Sequence, residues 1–153
     1  MEVRELSLRK EELYREILQE TGITVLPGAR ELLNALRELE VPFAVGSSTH
    51  RQNIELAIRE AKLEGFRTIT SAEDVQAGKP APEVFIKAAA SIQLKASQCI
   101  VIEDSHSGIE AANRGNFKVV GVATTNPPEA LKNCDLVVHR LTEVSPQCLK
   151  DLL

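Results

Sequence analysis

Tryptophan is absent from this sequence, and its aromatic residues amount to one tyrosine and four phenylalanines. Binding surfaces for single strands stack bases on rings and need more of them than this. The formal net charge of −4 also argues against a large footprint on nucleic-acid phosphates. Cysteine is scarce and odd in number. Cys99, Cys134 and Cys148 show no C-x-x-C spacing, which excludes a disulfide framework or a thiolate zinc site as the organising feature and suits reduced thiols. No apolar run approaches the length of a membrane span, and Met1-Glu-Val-Arg-Glu lacks the basic-then-apolar layout of a secretory leader. The expectation is a cytoplasmic protein with neither membrane nor nucleic acid as partner. Glycine and proline do not dominate, and 43% apolar with 26% charged residues among 153 fits one globular domain.

What is present is organised around Cys99-Ile-Val-Ile-Glu-Asp-Ser-His-Ser-Gly-Ile-Glu-Ala-Ala-Asn-Arg-Gly-Asn-Phe117. The short β-branched run reads as a buried parallel strand ending on Glu103 and Asp104. Ser105 then offers an N-cap hydroxyl, Ile109, Ala111 and Ala112 an apolar helical face, and Gly115 a left-handed stop. The result is strand, acidic turn, helix, and ligands of open parallel sheets bind outside the carboxyl ends of strands.

The same unit recurs along the chain. Ser7 to Thr21 predicts an amphipathic helix with Ser7 as N-cap and Gly22 as stop. A second helix starts near Pro27 and carries Leu32, Leu33, Leu36 and Leu39. Val41 to Ser47 reads as a strand that ends in Ser47, Ser48 and Thr49, and Ile54, Ala57, Ile58 and Ala61 mark the helix after it. Arg67 to Ser71 is a weaker strand, and Gly78, Pro80 and Pro82 keep the following loop irregular around Lys79. Phe85, Ala88, Ala89 and Ile92 face one side of a further helix. Strands follow at Lys118 to Ala123 and Asp135 to His139, separated by the turn Asn126-Pro-Pro-Glu129, and a last helix starts at Pro146. Alternating strands and helices with short polar turns imply a mostly parallel sheet with helices on both faces, a Rossmann-like three-layer α/β domain. No repeat or linker divides it. The front is unusual, with about forty residues of helix before the first strand. Either those helices cover the sheet or Ser7 to Thr21 belongs to something absent from this sequence.

Three polar clusters fall at strand ends or in the loops after them: Ser47 with Ser48, Lys79, and Glu103 with Asp104. Hydroxyls and free N–H groups at a helix amino terminus suit phosphate oxygens, and a lysine offsets the charge of a phosphoryl group. Carboxylates hold Mg²⁺, which takes one or two protein acids and keeps several waters. Each piece has a plainer use alone: the serines as cap and turn, Lys79 as a solvated loop residue, the acids as partners of a helix dipole. His50, His106 and His139 are too scattered to argue a metal site. The combination is what points to a phosphate site with a metal.

These residues resemble the haloacid dehalogenase superfamily, and within it the β-phosphoglucomutase-like phosphatases and mutases. The resemblance runs from Val25 onward. Val25-Leu-Pro-Gly-Ala-Arg-Glu-Leu-Leu is similar to the segment that returns from the cap to the core. Phe43-Ala-Val-Gly-Ser-Ser is similar to the second motif, Gly78-Lys-Pro-Ala-Pro-Glu-Val-Phe to the third, and Val101-Ile-Glu-Asp-Ser-x-x-Gly-Ile-x-Ala-Ala to the fourth. The resemblance implies that Ser47 and the backbone around Ser48 bind phosphate together with Lys79. It makes Asp104 and Glu103 Mg²⁺ ligands, and it sets Thr49, His50 and Arg51 where relatives contact the far side of a small phosphorylated metabolite. It divides the chain into residues 1–22, a helical remnant of a cap, and residues 23–153, an incomplete core domain.

The family's first motif, Asp-x-Asp at the end of an early strand, is not in this sequence. The aspartates are Asp74, Asp104, Asp135 and Asp151, none paired at that spacing, and nothing before Val41 reads as an apolar strand. That motif supplies the nucleophile, so its loss removes the chemistry. In the family the first strand lies mid-sheet, between the strand ending at Ser47 and the one ending at Asp104. Its absence leaves a slot of roughly 9 to 10 Å. Unpaired interior edges are costly. Either the two strands close up, another chain lends a strand by self-association, or the sequence is part of a longer enzyme, as the cap-like first helix favours. The expected activity is a Mg²⁺-dependent phosphatase or phosphomutase, inactive in this form. The alternative is a regulatory or binding protein that keeps the phosphate pocket or only the fold. A response-regulator receiver also combines acids, hydroxyls and lysine, but there the acids come first and the lysine last.

Overall fold

The computed structural model describes residues 3–153, so Met1 and Glu2, the first residues of the segment assigned to a cap remnant, lie outside it. The elements run α1 (Val3–Thr21), α2 (Ala29–Glu38), β1 (Val45–Gly46), α3 (Arg51–Glu60), β2 (Ile69–Thr70), α4 (Glu83–Ser91), β3 (Ile100–Glu103), α5 (His106–Arg114), β4 (Lys118–Val122), β5 (Leu136–Val138) and α6 (Pro146–Leu152), with short 3-10 turns between. Alternation of element type and parallel pairing throughout give the α/β architecture that the periodicity implied.

Two apolar layers hold it. On one face Val84, Phe85 and Ala89 of α4 and Ile109, Ala111 and Ala112 of α5 pack against Val101 of β3 and Val119 of β4, with Phe117 and Leu131. On the other, Leu32 and Leu36 of α2 and Leu149 and Leu152 of α6 pack against Val120, Val122 and Val138. β4 is the interior strand of its sheet, and Val119 and Val120 are wholly buried. That is the burial a continuous β-branched run predicts for a parallel strand covered on both faces.

The pairing is not continuous. β1 pairs only with β2, and β3, β4 and β5 form a separate three-stranded sheet in that order. Both units nevertheless lie under the same helices: Phe85 of α4 covers Gly46 of β1 while sharing a core with Val101 of β3, and Phe43 and Ile100 share the α2 layer. β1 and β3 therefore each keep an unpaired edge, with no ladder between them, where the resemblance puts the absent strand. The two strands do not close up. Ile102 in the middle of β3 is 38% exposed, unlike its counterparts in β4. The short extent of β1 has the same origin. Arg67, Val45 and Ser47 donate backbone bonds to Phe43, Thr68 and Thr70, so the chain is extended over more of Val41 to Ser47 than the strand itself, but with a neighbour on one side only.

Three local expectations need correction. Ser7 lies inside α1 instead of capping it, because helix-favouring residues such as Leu6 and Glu5 precede it. Gly115 has φ −85, and the left-handed residue is Asn116 at φ 62. Gly115 is required by close approach, since a Cβ there would lie 2.8 Å from the Phe117 ring. α2 begins at Ala29, two residues beyond Pro27. The expected cap at Ser105 is present, its hydroxyl oxygen accepting from the Gly108 N–H at 3.1 Å.

α1 lies against α3. Leu18 is buried, and the Asn53 amide, 2% exposed, sits between the Glu11 carboxylate, to which it donates, and Arg15, which donates to its Oδ1 at 3.0 Å. Leu6, Leu13, Tyr14 and Ile17 stay exposed. Among the described residues no helix is long and apolar enough to cross a membrane.

The break between β1 and β3 has a direct readout. Val45 and Ser47 donate to the β2 segment, so strand alternation turns the Gly46 N–H to the open edge. In hydrogen–deuterium exchange by NMR, Val45 and Ser47 are expected to be protected and Gly46 to exchange rapidly. Equal protection at all three would mean that the edge is paired.

Candidate functional site

The fourth-motif turn is built on Glu103. Its Oε1 accepts the N–H groups of Asp104 and Ser105, at 3.0 and 3.2 Å, and the Ser105 hydroxyl at 3.1 Å. Its Oε2 accepts the Lys79 ammonium at 2.7 Å. The carboxylate lies on the backbone of Gly108, where a Cβ would overlap it, so only glycine lets the first turn of α5 approach. Burial works to raise the Glu103 pKa, but the Lys79 hydrogen bond and charge, with the Asp104 contacts, outweigh it and hold the group below the ordinary carboxylate value. Glu103 is therefore ionised at neutral pH. The side chains of Lys79 and Glu103 are only 13% and 11% exposed, and removing one member of such a pair strands the other charge.

Lys79 reaches this position from the loop after β2. Its peptide bond to Pro80 is cis, and its ammonium stands 4.6 Å from the centre of the Phe85 ring, within cation–π range. The same ring meets Phe117 edge-on with centroids 6.2 Å apart, and a Cβ at Gly46 would come within 2.9 Å of it. Phe85 thus links the end of β1, just before Ser47, to the lysine and, through the lysine, to the end of β3.

Asp104 is held differently. Its Oδ2 accepts the hydroxyls of Thr124 at 3.2 Å and Thr125 at 3.4 Å, and its main-chain oxygen accepts from Asn126 Nδ2 at 3.2 Å. Its Oδ1 takes no hydrogen bond from the described residues. Ser47 Oγ accepts the Thr49 N–H at 3.2 Å, which folds the Ser47-Ser48-Thr49 turn on itself before α3.

His50 and Arg51 are committed elsewhere. The Glu73 carboxylate accepts the Arg51 N–H and contacts His50 Nδ1 at 3.0 Å. The Arg51 guanidinium donates to Asp74 Oδ2 at 2.9 Å and to the Ile69 oxygen at 2.7 Å. Asp74 in turn accepts the Ser71 N–H and hydroxyl, which with Arg51 hold its pKa below the ordinary value. These residues tie the turn after β1 to the turn after β2.

Lys79 and Glu103 are thus joined, with Asp104 next in the chain, whereas Ser47 and Ser48 make no contact with them and are related to the pair only in following Gly46, which packs on Phe85. Thr124 and Thr125 were not singled out in the sequence, and Phe85, Asn126 and Gly108 were named there only as helix-face, turn and motif residues. A hydroxyl pair directly after a strand, the signal that marked Ser47 and Ser48, is also present at Thr124 and Thr125. The three cysteines are free and apart. Cys99 packs against the core, and burial pushes its thiol up. Among the described residues no group of three or more His, Cys, Asp and Glu forms a metal cage. A cation here would depend on one or two carboxylates, the arrangement Mg²⁺ accepts when a phosphate completes its shell. Asp104, with one oxygen unbonded, fits that role.

The Gly108 contact is testable. Gly108→Ala is expected to push Glu103 off the α5 turn and away from Lys79, lowering stability in urea unfolding by about 1–3 kcal/mol, despite the higher helix propensity of alanine. A gain in stability would show that the approach is not tight.

Comparison with known proteins supplies the family. Residues 3–122 match the family model for haloacid dehalogenase-like hydrolases. The chain is 37% identical over 154 residues to the chloroplastic 5-amino-6-(5-phospho-D-ribitylamino)uracil phosphatase of Arabidopsis thaliana, covering 99% of this chain and 41% of that protein. It is 29% identical over 151 residues to the β-phosphoglucomutase of Bacillus subtilis, covering 98% of this chain and 65% of that one. The chain therefore spans from under half to just under two thirds of the lengths of these relatives. Among solved structures, a family IA, variant 3 hydrolase from Entamoeba histolytica superposes with a TM-score of 0.90 at 30% identity, over 97% of this chain and 70% of that one. Matched by sequence over most of its length and by fold over nearly all of it, the chain belongs to the haloacid dehalogenase-like hydrolases.

Proposed function

We propose that these 153 residues form the phosphate- and Mg²⁺-binding part of a phosphatase or phosphomutase acting on a small phosphorylated metabolite. The observation that carries this reading is the Lys79 ammonium paired with Glu103 at the end of β3, a strand that has no partner on the side away from β4. Ser47 and the backbone at Ser48 bind phosphate oxygens with Lys79. Asp104 is the principal Mg²⁺ ligand and Glu103 the second, while Glu103 also fixes Lys79. Bound Mg²⁺ would offset phosphoryl charge. Thr49, His50 and Arg51 border the substrate's far side, with His50 and Arg51 fixed in place by Glu73 and Asp74. Similarity to a uracil-ribityl phosphate phosphatase and to β-phosphoglucomutase supports the substrate class.

Residues 3–22, with their exposed apolar face, act as a cap helix, and residues 23–153 act as the core. The unpaired edges of β1 and β3 are where a strand carrying the nucleophilic carboxylate belongs, supplied by further chain or by another molecule through strand exchange. The three separate thiols suit the cytoplasm. A non-catalytic binding protein is the second reading, favoured by the lack of any Asp-x-Asp pair in the sequence.

Two measurements on the 153-residue chain test this reading. Titration with inorganic phosphate, followed by amide NMR, is expected to shift Ser47, Ser48 and Lys79, and Lys79→Ala should weaken binding about 10- to 100-fold, the worth of one charge-assisted hydrogen bond. No phosphate-dependent shift at these residues would remove the phosphate site. With Mg²⁺ the chain is expected not to hydrolyse p-nitrophenyl phosphate. Turnover that Asp104→Asn abolishes would show that the nucleophile lies within these residues after all.

A further inference from the structure

We infer that Thr124 and Thr125, in the loop after β4, are positioning residues that present Asp104 to a divalent cation. The inference rests on the metal-binding role proposed for Asp104. The Thr124 hydroxyl donates to one carboxylate oxygen, Oδ2, at 3.2 Å, and the single hydrogen of Thr125 is shared between that oxygen and the Asp104 carbonyl, each at 3.4 Å, which leaves Oδ1 without an N–H or O–H donor among the described residues. An aspartate carboxylate otherwise turns freely about a broad terminal torsion. Bonds to a single oxygen remove that freedom and fix which oxygen meets a cation.

The main chain of Asp104 is held by the same loop, its carbonyl accepting from Asn126 Nδ2 at 3.2 Å and from Thr125 Oγ1 at 3.4 Å. Side chain and backbone of Asp104 are thus tied to one segment. That segment is stiff on both sides. Ala123 donates to Val138 and Thr124 to Val122, each at 2.9 Å, and Pro127 and Pro128 follow, with Pro127 at φ −67 and ψ 152. Threonine is itself confined at χ1, so the hydroxyls need little ordering to meet the carboxylate.

Contrast with Glu103 makes the assignment specific. Glu103 has both oxygens engaged, by Lys79 and by the turn, so its part as second ligand needs no threonine to orient it. Asp104 has one oxygen engaged and one open, as a ligand with outer-shell support would have. Partners of that kind typically change metal affinity 10- to 100-fold when removed. Thr124 and Thr125 are exposed, so valine, which keeps the shape and deletes the hydroxyl, should not disturb the core.

The test uses Mn²⁺, whose paramagnetism broadens nearby amide signals even when binding is weak. In the wild-type chain, Mn²⁺ is expected to broaden Asp104, Ser105 and Thr124, and Asp104→Asn should abolish the effect. The double variant Thr124→Val with Thr125→Val should need about tenfold more Mn²⁺ for the same broadening, at an unchanged melting temperature without metal, and the double serine variant should recover wild-type behaviour. If the valine variant binds as the wild type does while Asp104→Asn does not bind, the positioning role is wrong and the metal site stands. If the wild type shows no broadening, or Asp104→Asn is broadened like the wild type, the metal reading fails and takes this inference with it.

Discussion

The ion pair between Lys79 and Glu103 is the contact on which the rest of the site depends. It joins the loop after β2 to the end of β3, two elements that share no backbone ladder. Everything near it accommodates it: Gly108 has no side chain so that the carboxylate can lie on α5, Phe85 supplies a ring beneath the ammonium, and the amide donors of the turn take up the oxygen that the lysine leaves. A buried ion pair is not in general a strong source of stability against an apolar alternative. Here it fixes geometry, holding a cation at the carboxyl ends of strands where anions bind in parallel sheets.

The two acids of the turn divide the work. Asp104 lies just past β3 and touches Glu103, but their further partners differ. Glu103 turns to the helix start and the lysine, in a pocket that keeps it charged. Asp104 turns to the threonine loop and keeps an oxygen open. One carboxylate is tied to the protein's own cation, and the other keeps an oxygen without a donor.

Much of this was legible in the sequence. The run Cys99 to Ile102, the Ser105 cap and the Ile109-Ala111-Ala112 face specify strand, turn and helix through local rules that tertiary context did not override. The missing apolar strand before Val41 was legible too, but whether β1 and β3 close up over its place was not. What was not legible depends on distance in space. Gly108 looks like any glycine in a helix until the Glu103 side chain is placed on it, and Thr124 and Thr125 lie twenty residues from the carboxylate they bind. The left-handed stop is Asn116, where Asn116 and Phe117 donate to Asn113 and Ala112 in a Schellman motif, and the adjoining glycine drew the expectation although it serves to make room for Phe117. Ser7 failed as a cap because helix formers continue upstream of it.

The broken sheet also bears on how the molecule comes apart. In a continuous parallel sheet, each strand's backbone bonds make its loss costly to its neighbours, and the sheet opens as one. Here β1, β2 and α3 are joined to β3, β4 and β5 by side chains of α4, by the α2 layer and by one ion pair, with no amide-to-carbonyl bond crossing the boundary between β1 and β3. The smaller unit can therefore open as a cooperative block of its own, at a free energy below that of global unfolding. The residues that decide that free energy, Phe85 and Lys79 among them, are also those that hold the end of β3, so local opening and loss of the Lys79–Glu103 pair are a single event.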